Sequence, residues 1–228
     1  MPLHLSKKSN ESLSVHPYEP IKDCRLCPRL VDFRHDNQTA YPDFFNGAVS
    51  SFGPMNAKHL IVGLAPGLKG ANKTGRPFTG DFSGELLYRC LDKMGWTSGD
   101  NKNEPQDGYD MTHTLITNAV RCVPPQNKPT AEEVKNCRPF LMSLIENMPH
   151  VKTMLALGKV AHDTIMRTYG LRLADHKFVH KAVHHLPGGI WLVDSYHCSR
   201  YNVNTGVLTE KMFLEALAVM EEVSLKSA

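Results

Sequence analysis

Four short, continuously apolar runs punctuate the chain, each leading into turn-forming residues. The runs are His59 to Leu64, His113 to Asn118, Thr153 to Leu157 and Ile190 to Asp194. Unbroken hydrophobicity of this length predicts strands buried on both faces. Between and after them, apolar residues recur at helical spacing. Helices are expected from about Ser83 to Met94, after Thr130, through Val160, Ala161, Ile165 and Met166, and from about Thr209 to Val223. Thr130 with Glu133 forms a capping box, and Pro139 should kink or restart the helix that carries Val134, Cys137, Leu141 and Leu144. Strands alternating with helices give an α/β fold with a parallel sheet covered on both faces. Ligands bind such sheets beyond the carboxyl ends of the strands.

The stretch Gly63 to Gly84 follows the first strand and carries six glycines and two prolines. Glycines let a backbone press its N–H groups against a ligand where a Cβ would clash. The loop offers Asn72, Arg76, Phe78 and Asp81, which are an amide, a cation, an aromatic face and a carboxylate. Its glycines do not make G-x-G-x-x-G, and no phosphate-binding G-x-x-x-x-G-K-[ST] occurs. Ordered loops of this length inside compact domains are usually functional.

Composition changes this picture little. The 228 residues suit one domain from residue 21 to 228, preceded by a polar, flexible segment over residues 1–20. A net charge of +3 neither demands nor excludes a polyanionic partner. The start lacks a signal-peptide core and there is no run of eighteen apolar residues, so a cytoplasmic protein without a membrane segment is expected. TSGDNKNEPQDGYD reads as a polar connection.

Six cysteines in a reducing compartment rarely mean disulfides. Cys24 and Cys27 form C-x-x-C, and Cys122 and Cys137 are widely separated singles. One close pair with two singles suits a 4Fe-4S cluster at least as well as zinc, although buried free cysteines would look the same. Cys90 sits at core spacing in a helix, and Cys198 is ambiguous. His176, His180, His184 and His185 could share a helical face and bind a metal, but with Pro187-Gly188-Gly189 following and no H-E-x-x-H they read as surface histidines between strands.

GLAPG, TGRPFTGD-x-SG, ITNAVRC-x-PP and SYH-x-SR-x-NVNTG-x-LT, with the four cysteines, resemble the iron–sulfur uracil-DNA glycosylases, specifically their fifth, broad-specificity family. The likeness runs from about Cys24 to the C terminus. It implies a three-layer α/β/α sandwich with a mainly parallel sheet, and a structural cluster on Cys24, Cys27, Cys122 and Cys137. It also implies a monomeric, monofunctional enzyme that hydrolyses the N-glycosidic bond of uracil, and of other deaminated bases such as hypoxanthine, in DNA. The product would be an abasic site for base-excision repair.

Carried over residue by residue, the resemblance makes Asp81 and His197 catalytic, the first orienting water or stabilising the sugar cation and the second donating to the base O2. Phe78 would stack on the flipped ring, Asn118 would read its N3/O4 edge, and Gly63 and Ala65 would line the base site. Ser195, Ser199, Arg200, Tyr201 and Asn202 would meet the DNA backbone or wedge into the gap, with Lys69, Lys73 and Arg76 extending an electropositive rim. Two departures matter. Leu64 stands where sister families place a polar or acidic residue, which moves the catalytic burden to Asp81. Cys198 replaces the usual proline after the histidine, which loosens the expected placement of His197. The rival readings are a strict uracil enzyme of the fourth family and a non-catalytic iron–sulfur nucleic-acid-binding or electron-transfer protein. Asp81 and His197 favour catalysis, because plain binding needs neither.

Overall fold

The computed structural model describes residues 18–226. Residues 1–17 of the expected flexible segment lie outside them. In chain order the elements are α1 (Pro28–Ala40), β1 (His59–Gly63), α2 (Ala71–Thr74), α3 (Phe82–Lys93), β2 (Thr97–Ser98), β3 (Asp110–Met111) and β4 (Thr114–Asn118). They continue with α4 (Ala131–Glu146), β5 (Thr153–Leu157), α5 (Lys159–Thr168), β6 (Val183–Leu186), β7 (Ile190–Ser195), α6 (Arg200–Asn204) and α7 (Glu210–Leu225). The four apolar runs are all strands, within one residue of their expected limits.

The main sheet has the order β4-β1-β5-β7-β6, parallel except for β6, which pairs antiparallel with β7 at one edge. Side chains on the sheet alternate between two cores. Ile61, Ile116, Leu155 and Val193 pack with Leu87 and Leu91 of α3 and Phe213 and Leu217 of α7. Leu60, Val62, Met154, Ala156 and Leu192 pack with Leu141 and Leu144 of α4 and Ala161 and Ile165 of α5. That is the three-layer α/β/α arrangement. Each large apolar side chain buried this way contributes about 1.5–3 kcal/mol, which is why the pattern alone specified these strands.

The capping box forms as expected, with the Thr130 hydroxyl accepting from the Glu133 N–H and the Glu133 carboxylate accepting from the Thr130 N–H. Glu133 also takes both arms of Arg29 at 2.8 Å, which fastens α1 to α4.

Three expectations are corrected. Helix α4 runs through Pro139 without a break. The carbonyl that loses its donor there belongs to Lys135, an exposed residue. The segment read as a plain polar connection contains β2 and β3, which pair with each other, and it supplies Asp107 to a buried ion pair with Arg76. The histidine segment is neither helical nor wholly superficial. His184 and His185 lie on β6, His176, His180 and His184 are half-buried, and only His185 is exposed.

Candidate active site

The carboxyl ends of β1 and β4 lie side by side, with Gly63 registered against Asn118. Beyond them the backbone of the long loop turns over a pocket of about 270 Å³, whose wall includes Leu64, Ala65, Gly67, Phe78, Asp81, Asn118 and His197. Gly63 is required by close approach. A Cβ on it would lie 2.4 Å from Asn118 Oδ1 and 2.6 Å from Phe78 Cζ. Asn118 is 3% exposed, and its Oδ1 is buried without a hydrogen-bond partner among the described residues. A buried acceptor left unpaired costs about 1–3 kcal/mol, so this atom is set to receive a donor from whatever enters the pocket.

Phe78 has φ +53, a left-handed conformation that a bulky side chain adopts only under constraint. The constraint is local packing. Tyr88 donates its hydroxyl to the Pro77 carbonyl at 2.5 Å, and Gly84 lets the Phe78 carbonyl approach so closely that a Cβ there would fall 1.6 Å from it. The ring is thereby held 6.3 Å from the His197 ring across the pocket.

Asp81 serves two surfaces. Its Oδ1 caps α3 by accepting the Gly84 N–H at 3.0 Å. Its Oδ2 lies against Gly67 and Gly70, where added Cβ atoms would approach it to 3.2 and 2.3 Å. His197 follows β7 on the opposite wall. Burial pushes its imidazole pKa down, and the charge of Asp81 pulls it back up without overcoming burial. The ring is therefore neutral near pH 7, with one N–H to donate.

Residues 50–221 match the uracil DNA glycosylase superfamily. The chain belongs to that superfamily. A protein of Thermus thermophilus named type-5 uracil-DNA glycosylase is 43% identical over 199 residues, spanning 85% of this chain and 90% of its own length. One of the same name from Pyrobaculum aerophilum is 37% identical over 202 residues, spanning 86% of each chain. A type-4 uracil-DNA glycosylase of that organism is 33% identical over 156 residues, which is 68% of this chain and 65% of its own.

Around this uracil-DNA glycosylase pocket the rim differs from expectation in several places. Ser195 is fully buried and its hydroxyl donates to the Tyr196 carbonyl, so it does not reach a phosphate. Asn202 donates its amide to the His197 carbonyl at 2.8 Å, which fixes the backbone that the missing proline would have stiffened. Cys198 itself is wholly buried in the α3/α7 core. Ser199 lines the pocket and caps α6, Arg200 is exposed over the Phe82 ring, and Tyr201 is 74% exposed. Lys69 and Lys73 are exposed on the loop.

Arg76 is buried inside the loop rather than on its rim, and Asn72 is buried as well. Arg76 binds Asp107 through two contacts of 2.7 and 3.0 Å, bonds Thr79 at 2.7 Å and lies over the Phe52, Tyr88 and Tyr109 rings. Asn72 donates to Asn46 Oδ1. Both residues shape the loop that presents Phe78 and Asp81. Asn127 lines the same pocket and was not anticipated. It reaches the wall from a turn with φ +56, a conformation asparagine tolerates.

A second, smaller cavity is walled by Cys24, Cys27, Cys122 and Cys137 with Pro20, Leu30, Val120 and Phe140. Burial pushes the Cys122 thiol up to about 12 and Cys137 to about 11, opposed by Arg34 beside the first and Arg121 beside the second. Arg121 is paired with Glu19, whereas Arg34 is 4% exposed, donates to the Cys24 carbonyl at 3.1 Å and meets no carboxylate among the described residues. Among those residues no helix is long and apolar enough to cross a membrane.

Proposed function

We propose that the protein removes uracil from DNA by hydrolysing its N-glycosidic bond, leaving an abasic site. The observation that carries this reading is the orphaned Asn118 Oδ1 beside Gly63 and Phe78. A base flipped into the pocket lies along the Phe78 ring. Uracil presents an N–H beside a carbonyl, and the Asn118 carboxamide offers the complementary acceptor and donor. Hypoxanthine carries the same N–H and carbonyl edge, so deaminated purines are further substrates. Cytosine and adenine present the reverse pattern, which Asn118 meets only if its amide turns over.

Bond breaking sends an electron pair from the C1′–N1 bond onto the base, where it spreads to O2, and leaves positive charge on the sugar. His197 donates its N–H to the developing oxyanion. Asp81 Oδ2 faces the sugar side, orients a water for attack at C1′ and offsets the cationic charge. The water supplies the hydroxyl at C1′ and its proton passes to the base or to solvent. Asp81 and His197 line the pocket, whose lining carries no amine nucleophile among the described residues, which favours water over an imine intermediate.

Cys24, Cys27, Cys122 and Cys137 would hold a 4Fe-4S cluster. Their shared apolar cavity and the buried Arg34, whose charge meets no carboxylate among the described residues, suit a group that carries net negative charge with its four thiolates. Bound there, the cluster ties the segment before α1, the segment after β4 and α4 together, and no catalytic step passes through it. Zinc on the same four thiolates is distinguished by iron and sulfide content.

The test is strand scission by alkali after incubation with duplexes carrying one uracil, hypoxanthine, thymine or cytosine. Cleavage at uracil and hypoxanthine is expected, and none at cytosine; thymine shares the edge of uracil, so cleavage there reports whether the pocket admits a C5 methyl. No cleavage at uracil by protein with intact iron content would replace this reading with that of a binding protein.

A further inference from the structure

At the far edge of the sheet from the cysteines, three side chains converge from three elements. His162 of α5, His184 of β6 and Asp194 of β7 bring one ligand atom each to within 4.8 Å of the others. His162 Nδ1 lies 2.8 Å from Asp194 Oδ1, and His184 Nε2 lies 3.0 Å from Asp194 Oδ2. Their side chains are 1%, 11% and 0% exposed in the order His162, His184, Asp194. Neither the base pocket nor the cysteine cavity includes any of them.

We propose that His162, His184 and Asp194 form a binding site for a zinc-class divalent ion that staples β7 to α5 and to the edge strand. Metal bonds of about 2.0–2.2 Å in a tetrahedral site put neighbouring ligand atoms about 3.3–3.6 Å apart, so the 2.8 and 3.0 Å hydrogen bonds on either side of Asp194 need open by only about half an ångström. The second ring nitrogen of His162 carries the independent signal. Nε2 meets the carbonyl of His176 at 2.9 Å, an acceptor only, so it must hold a proton. Metal-binding histidines are oriented by this kind of outer N–H bond, which leaves the other nitrogen free to ligate. Two imidazoles with one carboxylate favour zinc and its first-row neighbours over calcium or magnesium, which take oxygen, and over copper(I), which takes sulfur.

Without an ion the same cluster is a buried, hydrogen-bonded ion pair. With Nε2 committed to a carbonyl and Nδ1 facing a carboxylate, His162 would carry a full charge in a nearly closed site, and buried pairs of that kind break even at best. An ion takes the place of the proton that each ring directs at Asp194. The ring of the half-buried His176 lies 5.8 Å from that of His184, outside the three-residue cluster. Asp194 is three residues before His197, so the staple holds the strand end that delivers the catalytic histidine.

The probe is cobalt(II), added to the purified iron-loaded protein and followed by visible absorption, with zinc competition and a parallel melting curve. A single saturable site is expected, with ligand-field bands, no thiolate charge-transfer band, and a raised melting temperature. His184→Ala, on the edge strand, should weaken binding by about tenfold or more and abolish the rise. Asp194→Asn should do the same, and His184→Ala serves if that variant does not fold. Absence of saturable cobalt binding, binding with a thiolate band, or binding unchanged in His184→Ala would each overturn the proposal.

Discussion

Asp81 and Gly84 are joined by a 3.0 Å hydrogen bond that uses only one carboxylate oxygen of Asp81. The helix cap and the proposed catalytic carboxylate are therefore one side chain, and the two roles separate by substitution. Asp81→Asn keeps a capping oxygen and removes the charge, so its stability should stay within a few tenths of wild type while uracil release falls about 100-fold or more. Asp81→Ala should lose the same activity and also about 1 kcal/mol of stability. Single-turnover kinetics and urea unfolding on both variants check this. Full activity in Asp81→Asn would remove the carboxylate from the chemistry.

Gly63→Ala should fold and yet excise uracil poorly. The added methyl meets Asn118 Oδ1 and the Phe78 ring, the two groups that clasp the base. Circular dichroism should be preserved, with a loss of about tenfold or more in excision, since displacements near 1 Å in a reacting geometry carry penalties of about 100-fold. Wild-type kinetics in this variant would mean the base does not lie between those residues.

The strands and the α4 cap were legible because they depend on neighbours in sequence. The apolar runs must bury both faces wherever they go, and Thr130 with Glu133 closes its own cap. Arg76 was misread for the opposite reason. A cation in a glycine-rich loop belongs in solvent by default, and only Asp107, thirty-one residues away in a stretch that looked like a spacer, buries it. β6 escaped notice because its short Val-His-His-Leu segment has no pattern of its own and becomes a strand by pairing with β7. At the site, Phe78, Asp81, Asn118 and His197 were found through motif likeness, and the structure brings all four to one pocket. Asn127 carried no such mark, since its approach depends on a turn geometry that its sequence only permits.

Breaking the Arg76–Asp107 pair should be costly, because the remaining charge stays buried. Arg76→Met or Asp107→Asn is expected to lower stability by about 3–5 kcal/mol, as single truncations of buried pairs do. The guanidinium of Arg76 holds the Asp107 carboxyl well below the usual range, so its contribution is complete at neutral pH and is lost only in strong acid, as pH falls through that lowered pKa. Denaturant midpoints measured at pH 7 test the first statement, and a loss under 1 kcal/mol would show the pair to be incidental.

His59 should make the protein sensitive to mild acid. Burial lowers its pKa to about 4, against the pull of the Glu221 carboxylate 2.9 Å away, and the ring stacks on Trp96. Unfolded, the ring protonates near 6.5. Between those values the unfolded state binds more protons, so the contribution is whole above about pH 6.5 and declines as pH falls toward 4, by at most about 3 kcal/mol. Stability against pH for wild type and His59→Gln should diverge in that window. Parallel curves would assign the acid sensitivity elsewhere.

The most direct test of the account is the excision of uracil and cytosine by wild type and Asn118→Asp under single-turnover conditions. A carboxylate can still accept from a base but can no longer donate to the uracil O4, and it matches the amino group of cytosine. Uracil excision should fall about 100-fold or more, and discrimination against cytosine should narrow. Unchanged uracil excision with unchanged discrimination would contradict the claim that Asn118 reads the base.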